Sequence, residues 1–345
     1  MSIYRSCEQL EKCSLIISMN IGDYQNCLSP CCYSSMLNKG TTLTDNPLDD
    51  IKNFLEYRHN MIEENKRVYQ TDNKERIYTS HCEYCVLYKV KDWADTDSKL
   101  NYVNLSMYPS PCQSKCIYCN FMKNENVITD KAKDAYIRLF DTIKYIKENN
   151  LVTYDAEWQV SPGEITIHPY KQNIFDLVYD VHDVIFFTNC FVFNQDIANI
   201  LGANKYARMM LSIDSGTAIT WKKIKGFNNF NTVLNNLYKY YQHCDQINYQ
   251  QIELKYILML GINTRIQDYN GVIEIMKKFS IKSLHIARNY NDHYESSSPE
   301  YKELFNQIIN LAVLCINNGI SFELDDGLYS DDERDYINKS IKQIV

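Results

Sequence analysis

Three cysteines fall within eight positions of the stretch PSPCQSKCIYCNF (109–121): Cys112, Cys116 and Cys119, spaced Cys-x3-Cys-x2-Cys. Thiolates are soft ligands that suit zinc and iron–sulfur clusters, and most such clusters take one cysteine per iron. Three ligands on one loop leave the centre one short, as a catalytic zinc site keeps one position open. An open iron there can bind a substrate or a cofactor. A zinc or purely structural site is the bland alternative.

A second thiol constellation lies closer to the N-terminus. The chain has 13 cysteines, and besides the loop Cys27, Cys31 and Cys32 form one group and Cys82 and Cys85 another. Cys7, Cys13, Cys190, Cys244 and Cys315 stand apart. Grouped thiols in a reducing compartment point to metal more than to crosslinks. Cys27, Cys31 or Cys32, Cys82 and Cys85 supply four ligands, enough for a closed cluster, and Cys7 or Cys13 can replace one of the middle pair. A closed cluster suits electron transfer and an open one suits substrate binding. A structural zinc and unligated thiols are the competing readings.

The elements that must position these ligands change character along the 345 residues. Residues 1–95 hold one clear helix, opening at Asn46-Pro47 and carrying Ile51, Phe54, Leu55 and Ile62 on one stripe. The rest of that segment reads as mostly irregular, and a metal centre would compensate for a thin core. From residue 99 strands and helices alternate. KLNYVNLSM (99–107), TYDAEWQV (153–160), DVIFFTN (183–189), ARMMLSID (207–214), IELKYILML (252–260) and KSLHIAR (282–288) read as strands. Helices are expected near 129–148, 170–182, 195–203, 228–243 and 268–279. One more opens at Ser298-Pro299-Glu300 and stops at Asn317-Asn318-Gly319, before a last strand, ISFEL (320–324). Such alternation implies parallel strands with right-handed crossovers. A closed eight-fold barrel takes about 250 residues, so the expected class is α/β with an open, partial (β/α)6 barrel. The expected layout is an N-terminal segment 1–95, a barrel 96–325 and a tail 326–345, with functional loops at the C-terminal strand ends.

Cys112-x3-Cys116-x2-Cys119, with Tyr118 before the last cysteine, resembles the signature of the radical S-adenosylmethionine (SAM) enzymes. Four further strand ends carry the resemblance in order. They are SPGE (161–164), similar to the family's Gly-Gly-Glu turn; TNC (188–190), where relatives read Thr-Asn-Gly; SIDSG (212–216); and LMLGIN (258–263). The resemblance implies a [4Fe–4S] cluster on the three cysteines whose unique iron chelates the amino and carboxylate groups of SAM. It implies SAM contacts at Tyr118, Gly163, Glu164, Asn189, Ser212, Asp214 and Gly261, with the Tyr118 main chain on adenine. One electron would split SAM to a 5′-deoxyadenosyl radical that abstracts hydrogen from a substrate. Cys190, in the slot of a family glycine, is either a buried small hydrophobe or, as in some radical epimerases, a hydrogen-atom donor. Gly22-x4-Cys27 and Cys82-x2-Cys85 resemble parts of the SPASM or twitch modules that hold auxiliary clusters, although those modules follow the barrel. A second [4Fe–4S] cluster is the expectation.

Arg288, ending the sixth strand, is a candidate for holding a substrate carboxylate, with a salt bridge as the alternative. His168, His285 and His293 are isolated in sequence. No phosphate-binding Gly-x4-Gly-Lys-Ser/Thr loop is visible. A net charge of −7 argues against a broad nucleic-acid or anionic-membrane surface. No apolar run reaches the roughly 18 residues of a membrane span, and the N-terminus has no secretion-signal pattern. The expected setting is the cytoplasm, with a reductant such as flavodoxin or ferredoxin. The leading substrate class is a peptide or protein side chain. The alternatives are dehydrogenation or epimerisation of a sugar or other small molecule, and a non-catalytic iron–sulfur or zinc protein.

Overall fold

Strands and helices are interspersed from the first described residues, and the chain divides into two compact units. The computed structural model describes residues 2–19, 26–31, 40–71, 75–80, 82, 85–93, 99–107, 110–119, 128–161, 163–292, 294–325 and 327–345, with the backbone alone at 2, 18, 19, 26 and 27. The first unit comprises 1–112 and 125–185, the second 113–124 and 186–345.

In the first unit β1 (Ser2–Ser6) leads through α1 (Glu8–Glu11) to β2 (Ser14–Met19), β3 (Asn26–Ser29) and β4 (Thr41–Thr42). Then come α2 (Pro47–Gln70), β5 (Lys89–Trp93), β6 (Leu100–Leu105), α3 (Asp130–Glu148) and β7 (Val152–Val160). A 3-10 turn (Ile165–Ile167), α4 (Lys171–Val178) and the start of β8 (Asp183–Thr188) complete it. β6 is parallel to both β7 and β2, β2 is antiparallel to β3, and β1 pairs antiparallel with β5. α2 begins where proline presets the first helical φ. The Asp50 carboxylate fixes its entry by accepting the Thr44 amide and hydroxyl at 2.9 and 2.7 Å. Thr129 caps α3 by accepting from the Ala132 amide, and Ala135, Tyr136, Leu139, Ile143 and Ile146 form its buried stripe.

The second unit adds α5 (Gln195–Ala203), β9 (Arg208–Ser212), α6 (Ala218–Lys225), α7 (Phe230–Tyr241), α8 (Gln246–Tyr249) and β10 (Ile252–Leu258). It ends with α9 (Ile266–Lys278), β11 (Ser283–Arg288), α10 (Pro299–Asn317), β12 (Ser321–Leu324) and α11 (Asp331–Ile344). β9, β10, β11 and β12 pair in parallel, with Leu254 opposite both Leu211 and Leu284. β10 alternates strictly: Ile252, Leu254, Tyr256 and Leu258 are buried, while Glu253, Lys255 and Ile257 are half-buried on the other face.

The α/β class and all six expected βα strands are present. The N-terminal segment differs from expectation, since its described residues contribute five strands and a 24-residue helix. The compact division also falls elsewhere than 95/96, because β2 joins β6 in parallel and α2 packs on α3. The expected tail carries α11, opened by a reciprocal Ser330–Glu333 capping box and packed on α10. Among the described residues no helix is long and apolar enough to cross a membrane.

Candidate active site and thiol cluster

The cysteine loop begins five residues beyond β6. In the first unit Ser110 is buried, and its hydroxyl has no hydrogen-bond partner among the described residues. Gly163 packs directly on it: a Cβ there would stand 2.8 Å from the Ser110 carbonyl oxygen and 2.9 Å from its hydroxyl, and φ is +40°. Only glycine combines that approach with that backbone angle. The Glu164 amide donates to the Pro111 carbonyl at 3.0 Å. The Glu164 side chain is buried, and its Oε1 accepts the Thr166 amide and hydroxyl at 3.1 and 2.7 Å, capping the 3-10 turn. The SPGE turn therefore grips the start of the loop.

In the second unit the loop from Gln113 to Cys119 is tied at several points. Gln113 donates to the Asn189 side chain at 3.3 Å, and the Ser114 hydroxyl lies 2.9 Å from the Cys116 sulfur. The Lys115 and Ile117 amides donate to the carbonyls of Lys225 and Ile224, each at 3.0 Å. Tyr118 donates its hydroxyl to Asp214 at 2.7 Å, and its carbonyl accepts from Asn291 at 3.0 Å. Burial first, then the charges of Asp214 and Cys116, hold the Tyr118 hydroxyl well above its ordinary pKa, so it remains a donor. Cys112, Cys116 and Cys119 are all part-exposed.

Asp214 has little left for a cofactor. It is fully buried, its Oδ2 takes Tyr118 and Lys225, its Oδ1 accepts the Ile257 amide at 2.9 Å, and its carbonyl accepts from Asn263 at 2.8 Å. Ser212 is half-buried at the end of β9, opposite Lys255 in register, and Gly261 turns the chain after β10 with φ +69°. Cys190 is fully buried at φ +60°. Its amide donates to Thr188 at 3.1 Å and its carbonyl accepts from Asn236 at 2.9 Å. Arg288 alternates onto the face of Leu284 and Ile286, where it meets Glu333 at 3.0 Å and lies 5.4 Å from the centre of the Tyr329 ring. Its carboxylate partner is thus Glu333. Of the three histidines, His293 lies outside the described residues. His168 bonds Tyr136 at 3.0 Å, and His285 is not isolated: it meets Glu253 at 3.0 Å, and Glu253 in turn meets Arg208 at 3.4 Å.

No protein-family profile matches the chain, and no curated protein matches it. Among solved structures, Streptococcus suis SuiB bound to S-adenosylmethionine aligns over 83% of this chain and 57% of its own, at 13% identity and a TM-score of 0.50. SuiB bound to the precursor peptide SuiA aligns over 83% and 55%, with the same identity and score. The chain has the radical SAM fold. It spans a little over half the length of SuiB.

On this radical SAM fold the N-terminal thiols form a second focus within the first unit. Cys7, Cys31, Cys82 and Cys85 come from three separate segments, and the proximity of Cys31, Cys82 and Cys85 raises the Cys7 pKa, as that of Cys31 raises those of Cys82 and Cys85. Burial first, then the neighbouring Cys31, pushes Cys7 far up and Cys82 up to about 12, and burial pushes Cys85 up as well. Cys7 belongs to an apolar cluster with Tyr4, Leu10, Met61, Ile62 and Trp93, and Tyr78 and Leu87 pack against it. The 75–88 segment is anchored to α2: Glu64 accepts the amides of Ile77, Tyr78 and Thr79, and Tyr88 donates to Asn65 at 2.6 Å. Successive turns follow, with the Cys82 amide donating to Thr79 at 2.9 Å and the Cys85 amide to Cys82 at 3.1 Å. The backbone of Cys27 lies in β3 opposite Ser18 and Thr42. Its side chain and all of Cys32 lie outside the described residues. Among the described residues no three Cys, His, Asp or Glu side chains are drawn together as a finished ligand set.

By its chemistry the donor set fits a cluster with one open iron: three part-exposed thiols at Cys-x3-Cys-x2-Cys spacing, one of them beside the Ser114 hydroxyl. Sequence reading passed over Lys225, although Thr217 as an N-cap and Gly226 as a C-terminal stop mark its helix.

Proposed function

We propose that this protein is a radical SAM enzyme that modifies a peptide or protein side chain. The observation that carries the reading is a Cys-x3-Cys-x2-Cys loop beyond the first βα strand of a chain with the fold of SuiB. Cys112, Cys116 and Cys119 hold the catalytic [4Fe–4S] cluster. With SAM bound, such a cluster would supply the electron for reductive cleavage of SAM. The chain's own part is orientation and exclusion of water. The Gly163–Glu164 turn presents its backbone beside the loop, and Ser212 offers a half-buried hydroxyl at the end of β9. These are the SAM-facing groups we favour. Cys190 fills the glycine slot as a buried packing residue, because a hydrogen-atom donor must reach its substrate. The peptide substrate class rests on SuiB having been crystallised with a precursor peptide.

A second cluster belongs to the N-terminal segment. The ligands we favour are Cys7, Cys31, Cys82 and Cys85, with Cys7 in the place expected for Cys27. Four protein thiols close the centre, which suits passage of electrons from a cytoplasmic flavodoxin or ferredoxin.

The test is anaerobic reconstitution with iron and sulfide, followed by dithionite and SAM. The full chain yields 5′-deoxyadenosine by mass spectrometry, and Cys116→Ala yields none. A fully reconstituted protein that leaves SAM intact would make this a non-catalytic iron–sulfur protein.

A further inference from the structure

Lysine is almost never fully buried without a partner. Lys225 is 1% exposed and Asp214, its partner, 0%. The Lys225 ammonium stands 2.5 Å from Asp214 Oδ2 and 2.7 Å from the Tyr118 hydroxyl, with the rings of Tyr118 and Trp221 at 5.1 and 5.3 Å. An ion pair so enclosed is weak ground for stability alone, because desolvation offsets much of the attraction. What it does is geometric. Asp214 stands between β9 and β10, and Tyr118 lies inside the cysteine loop, so the lysine joins the loop to the sheet.

The backbone repeats the same join. A helix leaves its last carbonyls without intrahelical partners. In α6 those of Ile224 and Lys225 receive the Ile117 and Lys115 amides. Gly226 then turns away at φ +78°, and a Cβ there would come within 2.9 Å of the Lys115 side chain. The other end of α6 is pinned as firmly. Asp268 of α9 accepts from the hydroxyls of Ser215, Thr217 and Thr220 at 2.9, 2.6 and 3.0 Å. α6 is therefore a short rod fixed at both ends, with the cysteine loop built onto its C-terminus.

The geometry points to Lys225 as a positioning residue for the cysteine loop: with Asp214 and Tyr118 it locks the backbone from Lys115 to Cys119 on the end of α6, fixing Cys116 and Cys119 before any metal arrives. The significance of the two thiols rests on the function proposed above; the lock itself does not. The Asp214 carboxylate is then engaged by the loop, where family resemblance would have given it to SAM.

Tyr118→Phe removes one hydroxyl and keeps the ring; Lys225→Met removes the charge. In full-length metal-free protein, the Lys115 and Ile117 amides of both variants should exchange hydrogen about tenfold faster, the effect of losing about one hydrogen bond on local opening. Amides of β10 should keep their wild-type rates. After reconstitution, Tyr118→Phe should release iron to a chelator several-fold faster, and its reduced cluster should show an altered electron paramagnetic resonance response to SAM. Wild-type exchange at 115 and 117 in Tyr118→Phe overturns the proposal, and so does acceleration spread evenly over the second unit. If Lys225→Met fails to fold, Tyr118→Phe decides. If no cluster assembles even on the wild-type chain, the functional reading falls while the exchange rates still judge the lock.

Discussion

Arg288 ends β11 between an aromatic ring and a carboxylate. Burial alone would push Glu333 up, but the Ser330 amide, the Tyr301 hydroxyl and Arg288 together hold its carboxyl below the ordinary range. Removing the guanidinium leaves that carboxylate two donors. Arg288→Ala should therefore cost about 1 kcal/mol, lowering the melting temperature by about 2 °C in a chain of this size. The rate of 5′-deoxyadenosine formation should stay within about twofold of wild type, since a half-buried ion pair of this kind acts on stability. Loss of activity at an unchanged melting temperature would return Arg288 to the substrate. At this scale residue type was readable and use was not. The cysteine loop announced itself by spacing, which is local. Asp214 stands where the resemblance expects a SAM contact, and two of its side-chain partners lie 96 residues upstream in Tyr118 and 11 downstream in Lys225. Nothing in the local pattern encodes such a join.

Between α3 and α4 the 3-10 turn is closed by His168. Its Nδ1 accepts the Tyr170 amide at 3.2 Å and its Nε2 reaches the Tyr136 hydroxyl at 3.0 Å, so both nitrogens are used by the neutral ring. Burial depresses its pKa to about 4. The unfolded chain, at an ordinary 6.5, takes the proton first, so stability is complete above about 6.5 and drains away as pH falls towards 4. Between pH 7 and pH 5 the loss is about 2 kcal/mol from this one group. Chemical denaturation of wild type and His168→Gln at both pH values measures it; equal pH dependence in the two proteins would refute the assignment. Elements were largely legible, because buried strands such as DVIFFT and RMMLS are apolar runs and α3 carries an uninterrupted helical stripe. Short elements were not. α6 is eight residues with three lysines in its last turn, and its fixing partners come from α9 and the loop. β2 reads as an isolated LIIS until β6, more than eighty residues later, supplies its hydrogen bonds.

For the molecule as a whole, the two thiol sets make a count the sharpest measurement. Reconstituted protein should carry about eight iron atoms per chain, and Cys7→Ser about four, as expected for loss of one of two cubanes. A Cys7→Ser protein that keeps about eight iron atoms removes Cys7 from the ligand set, and zinc in place of iron changes the nature of the second centre. The reason Cys7 was hard to single out is physical: it looks like an ordinary core residue, packed with Leu10 and Trp93, and only the fold brings Cys31 and the 82–85 turn to it. The enclosure of Trp221 beside Lys225 has one more consequence. The chain has three tryptophans, and the other two, Trp93 and Trp158, lie in the first unit. With those two replaced by phenylalanine, the remaining indole, sealed from water and hydrogen-bonded to Asn229 at 2.9 Å, becomes a native lamp within the second unit, whose dimming would follow iron as it settles on the neighbouring sulfurs.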